Sequence, residues 1–475
     1  MGLNIHYPYF VETGTHATDR PRECSTCFSR SQKTRFREYL SQAALPAMEM
    51  SLSWLDAGES LSINVSGVAI EQLLGDENDA ADILVQLLRH KAVEILGQTY
   101  YRSVAGLFSE AGEFTSQVSR HAELMEGLSG KRPEVFENTE FVFKSELTNT
   151  LRTIGFAALY SEADESILPV LNPNYVYSCD DLPVLIRNCR LSDDIAHRFG
   201  DVMWDRYPLT PEKYAGWIAE TPGDCIHVRV DAGIFSGAAG GARALGQFFY
   251  DLPEALRSRE ITAILPSSAA RNQPRAEIRL EDLGLVSSHR AYALTGIRTI
   301  LQQSAFWCLE DARYLIPDQE SWRRFQSTDH FSRMDTVSGS CGRVAIRSTN
   351  QEAYDYFSAY LIALARCEAS CRDDLWSPAA ARVLRCLPPE KAFHFHSGHR
   401  FIGYSAHSLK EFSRLLEFIP EEVFSFHQGQ GDFSRWIDEV LGDSTLAERI
   451  THCATPHEAA ELARERGREL CHDLK

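Results

Sequence analysis

The sequence predicts an α/β protein in which helices cover a sheet of parallel strands. From the start of the chain to about residue 255, short apolar runs alternate with amphipathic helical stretches, a pattern typical of parallel sheets. Beyond that point the strand pattern thins and helical patterns dominate. The runs predicted as buried strands are LNIHY near the start, LSINVSG (61–67), AVEILG (92–97), GFAALYS (155–161), LPVLIRN (182–188) and DCIHVRVD (224–231).

The predicted helices follow from the spacing of apolar residues. Residues 76–90 carry Leu, Ile and Val three and four positions apart, as one buried helix face requires. Residues 291–309 and 352–369 show similar helical patterns. The alternation of strands and helices, taken alone, fits a closed barrel and an open doubly wound sheet equally well.

Chain length predicts more than one structural part. The 475 residues exceed the ~250 to 300 at which a single core stops growing. A break at Pro388 and Pro389 precedes a smaller unit. We therefore expect an α/β domain over residues 1–255, a helical region packing on it over 256–385, and a small, mainly helical accessory domain over 390–475.

Bulk properties exclude several classes of partner and site. A net charge of −18 disfavours nucleic acid, because binding a polyanion depends on clustered Lys and Arg. No apolar stretch approaches the ~20 residues needed to cross a bilayer, so no membrane partner is predicted. The first ten residues lack the basic and apolar regions of a secretory signal, and we expect a cytoplasmic protein. Oligomeric state is left open.

The chain's twelve cysteines are predicted to be mostly reduced thiols rather than a disulfide framework. Cys24 and Cys27 form a CxxC, but no second CxxC or HxxxH follows at finger spacing. We interpret them as a loop thiol pair, with a redox or metal role as the alternative. Cys367 and Cys371 would share one helix face and pack as small hydrophobes. The sequence therefore predicts no metal and no cofactor.

Two acids follow short apolar runs, Glu140 in VFENTEF and Asp231 in IHVRVDAGIF. In a barrel of parallel strands the carboxyl ends of the strands form one face, where residues distant in sequence converge. Two carboxyl groups can protonate a departing glycosidic oxygen and capture the oxocarbenium-like carbon. The alternative is that both are solvated surface charges, like most of the 66 acidic residues. The pair suggests glycoside chemistry.

A set of longer motifs points to a known family. The most specific are NPNYVY (172–177) and LIRNCRLSDDIAHRF (185–199), followed by YPLT (207–210). HYPYF from His6, VEILGQTYYRS, FENTEF and QSTDHF support them. From about His6 to about Met334 the chain resembles the amylase-like branch of glycoside hydrolase family 57. The segment after Pro389 resembles an uncharacterised helical domain often appended to that branch.

The resemblance implies an incomplete seven-stranded (β/α) barrel as the catalytic domain, followed by a helical region and the small C-terminal domain. It implies a retaining hydrolase or glucanotransferase acting on α-1,4-glucans or maltooligosaccharides, with Glu140 as nucleophile and Asp231 as acid/base. Asp231 must then stay protonated near neutrality. The implied sugar contacts are His6, Glu94, Tyr100, Tyr101, Trp204, Asp329 and His330, with Asp329 orienting His330. The three aromatic residues among them fit ordinary core positions equally well.

Departures from the family pattern concentrate around the two acids. The family usually carries Glu and His where this chain has Gln98 and Arg102, and Arg where it has Glu137. The residues after Asp231 lack the polar groups usual in the family. Because positioning can contribute ~7 to 11 kcal/mol to lowering a barrier, an alternative function is a catalytically impaired glucan-binding or regulatory protein.

Overall fold

The structure is a computed structural model. It describes residues 1–11, 24–28, 31–75, 79–140, 142–163, 171–237, 242–284, 297–336, 349–372 and 375–474. The chain forms two compact units. The first comprises Met1–Pro8, Ser31–Leu285 and Ser338–Arg347, and the second comprises Tyr9–Arg30, Val286–Val337 and Ser348–Lys475.

The first unit is built around one sheet with the strand order β6-β7-β5-β4-β3-β2-β1-β8. Neighbouring strands from β7 to β8 are parallel, and β6 pairs with β7 in the antiparallel direction. The strands are β1 (Gly2–Ile5), β2 (Leu61–Val65), β3 (Val93–Gly97), β4 (Val135–Glu137), β5 (Ala158–Ser161), β6 (Tyr177–Cys179), β7 (Leu182–Ile186) and β8 (Arg229–Asp231).

The two outer strands of the parallel set also meet. A parallel bridge joins Arg187, directly after β7, to His227, two residues before β8 in the chain. The seven parallel strands therefore close into a ring, and the predicted (β/α) barrel is confirmed. Strands β4 and β6 have three residues each and were not predicted.

Helices surround the sheet, as the alternating pattern predicts. The predicted helix over 76–90 is confirmed in its described part, where Leu84, Leu87 and Leu88 are buried. The helices of the first unit are α1 (Gln32–Tyr39), α2 (Leu45–Asp56), α3 (Gly67–Leu74), α4 (Ala80–Arg89), α5 (Gly112–Ser129), α6 (Leu147–Ile154), α7 (Cys189–Ala196), α8 (Pro211–Glu220), α9 (Ile234–Gly237), α10 (Ala242–Arg257) and α11 (Pro266–Ala269).

Side-chain caps start two helices at the carboxyl end of the barrel. Ser66 follows β2 and accepts a hydrogen bond from the Ala69 N–H at the start of α3. Asn188 follows β7 and accepts one from the Leu191 N–H at the start of α7. Each cap contributes about 1 kcal/mol. Strand ends and helix starts are thereby fixed at the edge where the site forms.

The second unit is mainly helical, with an antiparallel hairpin of β9 (Phe393–Ser397) and β10 (Arg400–Ala406). Phe433 and Trp436 are buried against Phe393 in the core of this unit. The predicted domain boundaries stay predictions. The helices are α12 (Ile300–Ala312), α13 (Gln319–Arg324), α14 (Thr328–Arg333), α15 (Asn350–Cys371), α16 (Pro378–Leu384), α17 (Leu409–Leu415), α18 (Glu421–Gln430), α19 (Asp432–Trp436), α20 (Ser444–Ile450) and α21 (Pro456–Asp473).

One cysteine prediction is corrected in this unit. Cys24, interpreted as half of a loop thiol pair, forms a disulfide with Cys367, which was predicted to pack as a reduced small hydrophobe. The two meet because the 3₁₀ turn Cys24–Cys27 packs on α15. Their Cα atoms lie 4.6 Å apart across a separation of 343 residues.

No helix within the described ranges is both long and apolar enough to cross a membrane.

Close packing at the end of β3 gives a stability prediction. A Cβ atom on Gly97 would lie 2.4 Å from the ring of Phe156, which packs edge-on against Phe136 at 5.4 Å. Gly97→Ala should therefore lower the free energy of unfolding by about 1–3 kcal/mol through overpacking. Urea unfolding checks this, with Gly112→Ala in the open first turn of α5 as the control. Equal stability of both variants would contradict it.

Candidate active site

The two predicted acids lie at the carboxyl ends of different parallel strands. Asp231 is the last residue of β8, and Glu140 lies three residues beyond the end of β4. In the sheet these strands are separated by β1, β2 and β3. Because the carboxyl ends of a parallel barrel share one rim, the closed sheet places both acids on the same face.

Arg102 joins the two acids. Its Nε and Nη2 atoms donate to the two carboxylate oxygens of Glu140, with a distance of 3.0 Å from Nε to Oε2. Its Nη1 atom lies 3.9 Å from Oδ1 of Asp231. The side chains of Arg102 and Glu140 are 11% and 14% exposed, whereas Asp231 is 50% exposed. The structure therefore brings the two acids together around one guanidinium group, which is hydrogen-bonded to Glu140 and within ion-pair distance of Asp231.

The backbone of Arg102 is in an unusual conformation. Its φ angle is +50°, in the left-handed region that residues with a Cβ rarely adopt. The Arg102 N–H donates to the Thr99 carbonyl at 2.9 Å, which closes the turn after β3. Such a conformation costs ~1–3 kcal/mol and concentrates at functional sites. It directs the arginine toward the acids.

A second arginine limits how far apart the acids can be. The Nη2 atom of Arg229 lies 3.3 Å from Oδ1 of Asp231 and 4.0 Å from Oε1 of Glu140. The two carboxylate oxygens can therefore be no farther apart than the sum of these distances. The ~5 to 5.5 Å that separates the two carboxyl groups of retaining glycosidases lies below this upper limit.

Arg229 also neutralises the acids beneath the rim. It lies 2.7 Å from Glu137 and 3.1 Å from Glu162, and its side chain is 5% exposed. Glu137, the acid found where the family usually has Arg, additionally accepts from the Asn64 amide at 2.6 Å. Asn64 in turn accepts from Gln98, another changed position. Gln98, Glu137 and Arg102, three of the departures from the family pattern, thus belong to one polar network that runs through Asn64, Arg229 and Glu140.

The arginines set the ionisation of Asp231. Burial on its own would raise the pKa of the Asp231 carboxyl. The guanidinium groups of Arg229, Arg102 and Arg187 oppose burial, and with the Asn4 amide they lower that pKa to about 2. Asp231 is therefore ionised at neutral pH in the substrate-free protein. The expectation that it stays protonated is wrong for this state, because three cations outweigh the desolvation.

His6 lies at the same rim as the acids. It directly follows β1, and its Nδ1 atom is 2.7 Å from the Ser66 hydroxyl. Two residues earlier on β1, Asn4 pairs in register with Asp231 and donates its amide N–H to that carboxylate. The first strand thus contributes one residue that holds Asp231 and one within reach of the rim. A sugar contact by His6 stays a prediction.

Tyr100 and Tyr101 pack as core residues. Their exposures are 4% and 1%. The Tyr100 hydroxyl donates to Glu71 at 2.6 Å, and Arg120 stacks on the Tyr100 ring at 3.9 Å while donating to the Tyr101 hydroxyl at 3.0 Å. Neither ring has a free face, so the predicted stacking on a pyranose is corrected for both.

Glu94 is not brought to the rim. In the sheet register Glu94 lies at the same height as Ser62 of β2 and Gly2 of β1. Gly2 is two residues before Asn4, the residue that pairs with Asp231 at the rim. Two strand residues correspond to ~6.6 Å along the barrel. The Glu94 carboxylate accepts from the backbone and hydroxyl of Ser267 at 3.0 Å each, and burial raises its pKa. Its predicted role beside the sugar has no support in this arrangement.

Trp204 lies on the connection between α7 and α8. Its ring packs edge-on against Trp217 at 5.8 Å, and it remains only partly buried. The residue is therefore partly accessible to solvent, and its sugar contact stays a prediction.

Asp329 and His330 belong to the second unit, and the hydrogen bonds that follow all join them to residues of that unit. The two ring nitrogens of His330 lie 2.7 Å from the Tyr356 hydroxyl and 3.0 Å from the Arg324 carbonyl, and the residue is fully buried. Asp329 accepts from Ser327 at 3.1 Å. Tyr356 and Arg324 therefore orient the His330 ring, and orientation by Asp329 stays a prediction. Sugar contacts by either residue stay predictions.

Sequence reasoning did not single out Arg229 as a site residue. One signal was available: Arg229 precedes Asp231 by two positions on the same strand, so both side chains point to the same side of the sheet. Arg102 was noticed as a departure, but its contact with both acids follows only from the fold.

A barrel of parallel strands with two carboxylates converging on its rim is typical of glycosidase-type enzymes. Residues 2–282, more than half of the chain, match the model of glycosyl hydrolase family 57. The chain belongs to this family, and the resemblance predicted from its motifs is confirmed.

The chain is also similar to individual proteins. A Methanocaldococcus jannaschii protein named "Putative alpha-amylase" is 27% identical over 345 residues, covering 70% of this chain and 73% of that protein. A GH57-type branching enzyme from Pyrococcus horikoshii has the same fold, with a TM-score of 0.53 at 10% identity over 78% of this chain and 90% of that enzyme. A 4-alpha-glucanotransferase from Thermococcus litoralis gives a TM-score of 0.45 at 15% identity, over 85% of this chain and 62% of that enzyme's length.

Proposed function

We propose that the protein is a retaining glycoside hydrolase or glucanotransferase that acts on α-1,4-glucans or maltooligosaccharides. The observation that carries this proposal is that Glu140 and Asp231, from distant strands, contact the same two guanidinium groups at one rim. The family and the names of two relatives, a "Putative alpha-amylase" and a GH57-type branching enzyme, support an α-glucan as substrate.

In this proposal Glu140 attacks the anomeric carbon while the glycosidic C–O bond breaks. Asp231 gives its proton to the departing oxygen, and a glycosyl ester of Glu140 forms. Asp231, now ionised, then removes a proton from water or from an acceptor sugar, whose oxygen displaces Glu140. At the start and at the end of each cycle, Glu140 must therefore be a carboxylate and Asp231 a carboxylic acid.

Arg102 must move for the cycle to begin. It occupies both oxygens of Glu140 and contributes to holding Asp231 ionised. We propose that a glucan chain bound across the rim takes its place, so that Glu140 is freed and the pKa of Asp231 rises. Substrate binding would then itself raise the pKa of Asp231, so that this residue can act as the acid.

The same arginine favours a second candidate function, a glucan-binding protein without turnover. If the sugar leaves Arg102 in place, neither acid can act. Calorimetry with maltoheptaose, together with the release of reducing sugar from amylose, separates the two. Binding with release of α-configured sugar supports the enzyme. Binding without release in the wild type supports the second candidate, and failure to bind contradicts both.

The ionised state of Asp231 predicts an acid-shifted pH profile. A carboxyl group with a pKa of about 2 is ionised at pH 7, and its protonated fraction rises about tenfold for each pH unit lowered. Since kcat/KM reports the free enzyme, kcat/KM for amylose should rise steadily as pH falls from 8 to 5. An aryl maltoside, whose phenolate leaves without a proton, should show no such rise. A maximum near pH 7 for amylose would contradict the prediction.

A further inference from the structure

Four cysteines of the second unit converge on one point. Cys24 and Cys27 begin and end a 3₁₀ turn, and Cys367 and Cys371 lie one helical turn apart in the last turns of α15. Cys24 is bonded to Cys367, and its sulfur lies 3.4 Å from the sulfur of Cys371. Cys24, Cys27 and Cys367 are buried, whereas Cys371 is partly exposed.

Cys27 ends the same short turn that begins at Cys24 and packs on α15. Burial raises the pKa of the Cys27 thiol to about 11, the Arg366 guanidinium opposes that rise, and the Cys371 thiol adds to it. All four cysteines thus belong to one cluster, although the two pairs are separated by about 340 residues in the sequence.

We propose that in the reduced protein Cys24, Cys27, Cys367 and Cys371 form a tetrahedral four-thiolate site for one Zn²⁺ ion. Four sulfur ligands in tetrahedral geometry are typical of structural zinc sites. Zn–S bonds of about 2.3 Å place the sulfurs ~3.8 Å apart in a tetrahedron, close to the 3.4 Å between Cys24 and Cys371. A single ion fits this spacing better than an iron–sulfur cluster, which would hold the sulfurs farther apart.

The charge around the cluster suits an anionic metal site. Four thiolates and one Zn²⁺ leave two negative charges, which a buried site must have compensated. Arg366 lies beside the cluster, and its Nε–H is buried without a hydrogen-bond partner among the residues that the structure describes. Its side chain supplies a positive charge where the metal site would need one.

Zinc binding and the Cys24–Cys367 disulfide exclude each other. Opening the disulfide takes two electrons and two protons, which a phosphine reductant and water supply as the phosphine becomes its oxide. The resulting four thiols release their protons when the metal binds. Zn²⁺ itself is not oxidised or reduced. Oxidation of the protein would therefore remove two of the four ligands.

The test uses the full-length protein reduced with a phosphine under argon and titrated with Co²⁺, a spectroscopic substitute for Zn²⁺. We expect one Co²⁺ per chain, with thiolate charge-transfer bands and the intense visible bands of tetrahedral cobalt, all lost when Zn²⁺ is added. Cys371→Ser should weaken Zn²⁺ binding by more than ~10²-fold. Cys453→Ser, which changes a partly exposed cysteine outside the cluster, should bind like the wild type.

The wild-type titration does not depend on whether a variant folds. Reduced wild type that gives no tetrahedral thiolate bands and retains no Zn²⁺ by elemental analysis would overturn the proposal. Zn²⁺ affinity equal to that of the wild type in folded Cys371→Ser would also overturn it.

Discussion

Replacing Glu140 with Gln is expected to lower the turnover of both amylose and an aryl maltoside by ~10³-fold or more. The amide has nearly the shape of the carboxylate but cannot attack the anomeric carbon or stabilise positive charge there. Because every substrate must form the glycosyl ester, a good leaving group cannot compensate. Steady-state assays on both substrates, with circular dichroism to verify folding, measure the effect.

The contrast with Asp231→Asn makes this result specific. Loss of the acid should reduce cleavage of amylose, whereas the aryl maltoside should still form the ester because its phenolate needs no proton. Azide, a nucleophile that needs no general base, should then speed turnover in Asp231→Asn but not in Glu140→Gln. Glu146→Gln, at an exposed position six residues along the chain, is the matched control. Activity of Glu140→Gln within about tenfold of the wild type would contradict the nucleophile assignment.

Arg102→His is expected to raise kcat/KM for amylose by ~10²-fold at pH 8. A neutral imidazole removes one of the charges that lower the pKa of Asp231 and frees both oxygens of Glu140. General acid catalysis contributes typically 10²–10⁴-fold, so restoring part of it has a large effect. Histidine is also comparatively well tolerated at the positive φ of position 102, and it is the residue usual in the family.

A double-mutant cycle shows whether the gain passes through Asp231. In Arg102→His combined with Asp231→Asn, the increase on amylose should disappear. Arg132→His, at a 44% exposed surface ion pair, should leave the rate unchanged. A lower rate in a folded Arg102→His variant would mean that Arg102 assists the reaction, and the proposed displacement would be wrong.

The barrel could be predicted because its strands and helices are encoded locally. Runs such as those containing β2 and β3 are apolar because the barrel buries them, and the spacing in α4 follows its buried face. The same locality places Asp231 at the end of a predicted strand and Glu140 just beyond a short apolar run. Strand β4 escaped prediction because it has only three residues and ends in the buried, charged Glu137.

The ionisation of Asp231 could not be predicted in this way. It depends on arginines contributed by three segments, which only the closed barrel brings together. Glu137 stands where the family usually has Arg, but its charge is paired with Arg229. The sign of the electrostatic effect therefore depends on a partner at position 229, which the linear motif does not reveal.

Two predictions that the motifs left open, the role of Tyr100 and Tyr101 and that of the CxxC at Cys24, depend on tertiary contacts. Tyr100 and Tyr101 fit a sugar platform or the core equally well in sequence, and Glu71 and Arg120 hold them in the core. The CxxC at Cys24 lacked a second pair at finger spacing, because its neighbours lie on α15, far along the chain. Spacing rules recognise local sites and miss those assembled by tertiary contacts.

Mass spectrometry of the protein after incubation with 5-fluoro-α-maltosyl fluoride tests the account most directly. Fluoride leaves without a proton, so the ionised Asp231 is no obstacle, and the ring fluorine slows hydrolysis of the ester. We predict one added 5-fluoromaltosyl group on the peptide that contains Glu140, and none in Glu140→Gln. A label on another residue, or fluoride released without any label on the protein, would contradict Glu140 as the nucleophile of a retaining enzyme.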